Sequence, residues 1–248
     1  MQINPRQLAI AGLLGALVVV LGMTPIGFVP VPGPAGRATT MHIPVILAGI
    51  FEGPVVGATV GLLFGLFSYV RNAMAPANPV AAMMFADPLV TFVPRILIGV
   101  VAYYAYTLVR ARHARPLVTA AVPVIVADGL YRVLKPLAAA QGTTGIIALF
   151  GGLAASPVGL WLMIILVAGG LAYLVWRLTG GDRAAPGLAA IAGTAANTIG
   201  VLGLSVIRGY LPAGAAWAVG ILHGLPEILV ALALVLMLER AIKGALRN

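Results

Sequence analysis

Apolar residues fall in long blocks along the chain, and polar residues collect in the gaps between them. Eight blocks read as helices, at about 7–23, 40–51, 55–70, 88–109, 117–137, 157–177, 187–207 and 216–242. A span of the bilayer takes about 20 mostly apolar residues. The second block is short and is broken from the third by Glu52-Gly53-Pro54. Thr24 to Ala38 (TPIGFVPVPGPAGRA) holds four prolines and is no helix. Arg71 to Asp87, with Asn72, Pro76, Asn78 and Pro79, reads as a polar loop. The first block follows a lone Arg6 and runs into Thr24-Pro25 rather than a small-residue cleavage site, so it reads as a retained helix.

Composition makes this a membrane reading. Of 248 residues, 61% are apolar and 8% charged, against about 45–50% and about 25% in soluble domains. Glycine and proline are plentiful, yet the apolar excess excludes a disordered chain. The expected fold is an all-α integral membrane protein of about eight spans, one domain over 1–248, with no room for a soluble unit. The net charge of +9 comes from cations that flank the apolar blocks, which is topological signal rather than nucleic-acid recognition. Nine cations (Arg6, Arg110, Arg112, Arg115, Arg177, Arg183, Arg240, Lys243, Arg247) fall on one side. Five (Arg37, Arg71, Arg132, Lys135, Arg208) fall on the other, and Arg95 lies inside a span. The richer side is read as cytoplasmic, with both termini there, which puts 24–39 and 71–87 outside as a candidate lid. The absence of cysteine excludes disulfides, thiolate metal sites and thiol nucleophiles.

Polar groups at depth are the candidate chemistry, because a charge at the bilayer centre costs about 2.5–3.5 kcal/mol on insertion scales. Arg95 and His223 lie roughly 10 Å, and Glu227 roughly 16 Å, below the outer ends of their helices. Asn197 is near mid-bilayer, and His42 is expected at the outer mouth of the second helix beside Thr39 and Thr40. Four helices thus contribute to one slab, as a pocket open to the outside requires. Blander roles stay open: an Arg95–Glu227 ion pair, an interhelical bond from Asn197, an interfacial His42, and an intrahelical Asp128–Arg132 pair. In the first helix Ala11/Gly15 and Gly12/Ala16 overlap as small-xxx-small pairs, a groove for a partner or for the chain's own helices. No GxxxxGK[ST], HExxH or GxSxG string occurs, and three scattered histidines make a poor metal site. Nothing nominates an enzyme or a cofactor.

Four blocks carry a family likeness: TTMHIPVILAGIFEGPVVGATVGLLFGLFS at 39–68, FADPLVTFVPRILIGVVAYYAY at 85–106, AGTAANTIGVLG at 192–203 and HGLPEILVA at 223–231. They resemble the substrate-binding S components of energy-coupling factor (ECF) vitamin transporters, in the branch with pantothenate, hydroxymethylpyrimidine and queuosine-precursor types. His223 stands where that branch usually has Asn. The resemblance implies a six-helix core, here with two additional spans in an insertion at 113–180. It implies a vitamin site in the outer half, capped by the first and third loops. It further implies a membrane coupling subunit that meets Ala11, Gly12, Gly15 and Ala16, and two cytoplasmic ATPases. On this reading Arg37, Thr39, His42, Arg95, Asn197, His223 and Glu227 bind the solute. The rival reading is a stand-alone proton- or sodium-coupled transporter, with His223 and Glu227 carrying protons.

Overall fold

The computed structural model describes residues 4–30, 37–110, 156–178 and 184–245, with isolated positions between 124 and 131. Most of the expected span at 117–137, Arg132 of the Asp128–Arg132 pair and most of the 113–180 insertion lie outside the described residues. The other seven expected helices each have a counterpart.

Local chemistry sets where the elements begin and end. Helix α1 (Pro5–Met23) opens on a reciprocal cap, in which the Gln7 N–H donates to Asn4 Oδ1 at 2.8 Å and the Asn4 N–H to Gln7 Oε1 at 3.2 Å. It stops at Thr24, because a residue before proline is pushed out of helical geometry. After a single 3₁₀ turn, strands β1 (Phe28–Pro30) and β2 (Arg37–Thr39) form an antiparallel ribbon that pairs Phe28 with Thr39 and Pro30 with Arg37. Helices α2 (His42–Glu52) and α3 (Pro54–Met74) meet at Gly53, whose φ of +94° suits glycine, and Pro54 starts the second helix without a wasted donor. Asn78 caps the short α4 (Pro79–Ala86) through the Ala81 N–H, and Asp87 accepts the Leu89 N–H at the head of α5 (Pro88–Arg110). Helices α6 (Pro157–Leu178), α7 (Ala184–Ile207) and α8 (Ala213–Ala245) complete the described chain.

Five of these helices (α1, α3, α5, α7 and α8) are long and apolar enough to cross a membrane, and α2 is a shorter apolar helix. The protein is an all-α membrane protein. Helix α5 packs between α3 and α7, α2 fits against all three, α8 closes on α7 and α1 on α2 and α3, while α6 meets the bundle at α7. The core runs through Val45, Ile46, Val60, Phe64, Ile98 and Leu232. At the centre the backbones touch: a Cβ on Gly57 would stand 2.9 Å from the Cα atoms of both Gly49 and Gly99. Such contact lets α2, α3 and α5 approach closely through small residues.

The helix ends collect at two faces. Arg6 and Gln7 of α1 reach Glu52 at the α2–α3 corner. At the opposite face Arg71 donates to the Gly22 carbonyl at 2.7 Å and its guanidinium covers Phe28 at 5.4 Å. Asp87 there pairs with Arg208.

Three expectations change. The segment 71–87 is mostly helical, since α3 continues to Met74 and α4 occupies 79–86. The proline-rich stretch contains paired strands rather than irregular coil alone. Most consequential is His42, which is fully buried rather than set at the outer mouth. The 11 residues of α2 rise only about 16 Å from the Glu52 face, roughly half of a hydrocarbon core of about 30 Å.

Candidate functional site

Arg95 sits in the second turn of α5, 5% exposed, directly after Pro94. Proline has no N–H, so the carbonyl four residues back, Val90, loses its helical donor. Arg95 Nη1 supplies the replacement at 2.7 Å. The guanidinium lies over Phe85 of α4 at 4.9 Å and Phe64 of α3 at 5.6 Å, contacts worth about 0.5–1 kcal/mol when exposed and about 2 kcal/mol when desolvated. Gly61 of α3 lies against the Arg95 backbone, where an added Cβ would strike the carbonyl. The Nε proton has no acceptor among the described residues.

Glu227, 7% exposed, follows Pro226 in α8. One oxygen accepts the Thr39 backbone N–H at 2.9 Å, and the other the Thr198 hydroxyl of α7 at 3.2 Å. The carboxylate therefore joins the β1–β2 ribbon to two helices. Arg95 and Glu227 attract one another electrostatically, but each makes its hydrogen bonds elsewhere and they form no ion pair. The simple neutralising pair is thus not what the structure holds.

On the elements that pack with these two charges, further buried polar atoms lack partners among the described residues. They are Thr40 Oγ1, both ring nitrogens of His42, Asn197 Oδ1 and His223 Nε2. The backbone of Thr39 lies beside the His42 ring without completing a hydrogen bond to it. His223 Nδ1 is 3.2 Å from the Val219 carbonyl of its own helix. Asn197 makes no interhelical bond through Oδ1. Buried polar groups in folded proteins are nearly always satisfied, and each exception asks for a cause. These exceptions lie on α2, α5, α7 and α8, helices that pack into one bundle, and hydrogen-bonding groups left open in this way are what a small polar solute could use. Thr39, His42, Arg95, Asn197, His223 and Glu227 are all on elements that pack together here. Arg37 opens β2 opposite Pro30, and its side chain is not among those described.

The family described as "ECF transporter, substrate-specific component" matches residues 6–239. The chain belongs to this family. Among curated proteins it is similar to the pantothenic acid transporter PanT of Lactococcus lactis subsp. cremoris, 32% identical over 88 residues, covering 31% of this chain and 45% of that one. It is likewise similar to the pantothenate transporter PanT of Leuconostoc mesenteroides subsp. mesenteroides, 32% identical over 94 residues, covering 38% and 44%. The chain thus aligns with somewhat less than half the length of each relative.

In this substrate-specific component the small residues of α1 divide between two faces. Ala11 is buried, and a Cβ on Gly15 would strike Leu63 of α3. Gly12 and Ala16 look outward, with nothing within 4 Å of a Cβ on Gly12. Only the second pair is free to meet another molecule. Phe64, Phe85 and Thr198 do not stand out as site residues in the sequence, and Thr40 does so only as a neighbour of His42. Thr198 had a signal, since it follows Asn197, a polar residue already picked out by its depth; Phe64 and Phe85 lie in family-like blocks too, but an apolar residue in an apolar helix does not stand out.

Proposed function

We infer that this chain is the membrane binding subunit for uptake of a small water-soluble vitamin or precursor, and that the solute is an anion of the pantothenate type. The observation that carries this is Arg95, a buried guanidinium that hydrogen-bonds no carboxylate among the described residues and keeps an unused Nε proton. A carboxylate on the solute would give it the charge-assisted bond it lacks. Hydroxyl and amide groups of such a solute match Asn197 Oδ1, His223 Nε2, the His42 ring and Thr40 Oγ1. The names of the two relatives favour pantothenate over a pyrimidine or a deazaguanine.

The site opens towards the Asp87 face, read as the cell exterior because the cation-rich ends lie at the other face. Both termini are then cytoplasmic. Energy comes from a membrane coupling subunit and two cytoplasmic ATPases, since the chain has no phosphate loop. The outward side of α1, with Gly12 and Ala16 among exposed Leu8, Leu13 and Leu17, fits a close helix–helix contact with that subunit. Equilibrium binding of radiolabelled pantothenate to the purified chain tests the reading. Saturable binding without uptake by proteoliposomes of the lone chain supports it. Gradient-driven uptake by the lone chain would instead establish a secondary transporter.

A further inference from the structure

Helix α4 is held in place by little apolar contact. It buries Met84 against Val90 of α5 and Val201 of α7, with Phe85, Leu204 and Tyr210 at the margin, in a cluster separate from the main core. Elements with so few buried apolar contacts lie at the low end of local stability. Yet α4 carries Phe85, whose ring covers the Arg95 guanidinium. Polar contacts must therefore decide whether it stays down. Asn72 Nδ2 donates to the Ala82 carbonyl at 3.0 Å, and Thr91 Oγ1 to that of Phe85 at 2.8 Å, but both bonds stay within the α3–α4–α5 segment.

Asp87, at the corner between α4 and α5, reaches further. Oδ1 accepts the Leu89 N–H at 2.9 Å. Oδ2 accepts from Arg208 Nε at 2.7 Å and from the Tyr210 hydroxyl at 3.1 Å, both on the connection between α7 and α8. Gly209, with φ of +76°, turns the chain so that both neighbours meet one oxygen. The aspartate side chain is 5% exposed and that of arginine 49%, so one partner is anchored and the other has water as an alternative. Burial raises the Asp87 pKa, but hydrogen bonds from Arg208, the Leu89 N–H and Tyr210 outweigh it and keep the group ionised.

We propose that Asp87, Arg208 and Tyr210 form an outer latch that holds α4 shut over Arg95 and so sets how long a bound solute stays. The residence-time half of this rests on the binding function inferred above; the closure half does not. Two readouts separate them. The first is dissociation of radiolabelled pantothenate from the full chain carrying Asp87→Asn, Arg208→Gln or Tyr210→Phe. Asn at 87 still accepts the Leu89 N–H, so the helix start survives. The first two variants are expected to dissociate about tenfold faster, and the double variant no faster than either single, as for one shared contact. The second uses the natural absence of cysteine. A Met84→Cys thiol, or Val201→Cys where the first fails to fold, is labelled with a membrane-impermeant maleimide, without solute. Labelling several-fold faster with Asp87→Asn or Arg208→Gln supports the latch. Unchanged labelling overturns it, whatever the solute. Absence of pantothenate binding in the unsubstituted chain would remove the inferred function and leave the labelling to judge the latch. Faster labelling with unchanged dissociation would show that α4 opens but does not retain solute, and would overturn the residence-time claim.

Discussion

Arg95 bonds to the carbonyl of Val90, five residues back in its own helix, at 2.7 Å. The acceptor is available because Pro94 cannot donate to it. Pro94→Ala returns an N–H to compete for that carbonyl and releases the guanidinium from its anchor. A hydrogen bond to a charged group contributes about 1.5–3 kcal/mol, so pantothenate affinity should fall by about tenfold or more while thermal stability is kept or raised. Isothermal calorimetry beside a melting curve checks both. Unchanged affinity would show that the Val90 bond does not position Arg95.

Glu227 holds the ribbon through the Thr39 N–H and α7 through Thr198. Glu227→Gln keeps an oxygen for Thr39, whereas Glu227→Ala leaves that N–H without its partner. Dissociation should quicken by about 10- to 100-fold for Ala, as loss of a bond to a charged acceptor implies, and far less for Gln. Equal loss in both variants would mean that the charge of Glu227, not its hold on Thr39, is what binding needs.

Gly57 leaves no room for a methyl between Gly49 and Gly99. Gly57→Ala should destabilise the fold by about 1–3 kcal/mol, the usual cost of overpacking, read as a lower melting temperature in detergent. Gly12→Ala, with open space around it, should leave melting unchanged and weaken only assembly with the coupling subunit. A normal melt for Gly57→Ala would argue against this close three-helix contact.

Much of this was legible in the sequence, and the exceptions have physical reasons. Helices α1, α3, α5, α7 and α8 announce themselves because a spanning helix must be apolar throughout. Arg95 and Glu227 stand out because a charge inside such a block is rare. Helix α4 was hidden, since eight residues give too little periodicity beside prolines that read as loop. Small-residue spacing showed that α1 carries grooves, but not that Ala11 and Gly15 are buried, Gly15 against Leu63, while Gly12 and Ala16 face out. Phe64 and Phe85 lie 31 and 10 residues before Arg95, and only the packing of α3 and α4 brings them to it. The Val90 acceptor was readable in principle, from a proline four positions on.

Acid should loosen the outer corner in a defined range. Burial raises the Asp87 carboxyl, but bonds from Arg208, the Leu89 N–H and Tyr210, with the charge of Arg208, leave it below its ordinary value. A depressed carboxyl stabilises the folded form above the usual carboxylate range, and that contribution disappears as pH falls through the native value. Solute dissociation should be flat from about pH 8 to about pH 5 and accelerate below about pH 4. With Asp87→Asn it should already be fast at neutral pH, and only a smaller rise should remain in acid, where the carboxylates of the solute and of Glu227 take up protons. A transition near pH 6–7 would point to histidine instead.

The central claim is that Arg95 holds the negative charge of the solute. The most direct measurement is calorimetric titration of pantothenate into the purified chain and into Arg95→Ala, each shown to be folded by its melting curve. The account predicts 1:1 saturable binding to the unsubstituted chain and a loss of at least about 30-fold with Ala, since truncating one partner of a buried charge pair costs about 2–5 kcal/mol. Binding of equal strength in the two proteins would contradict it.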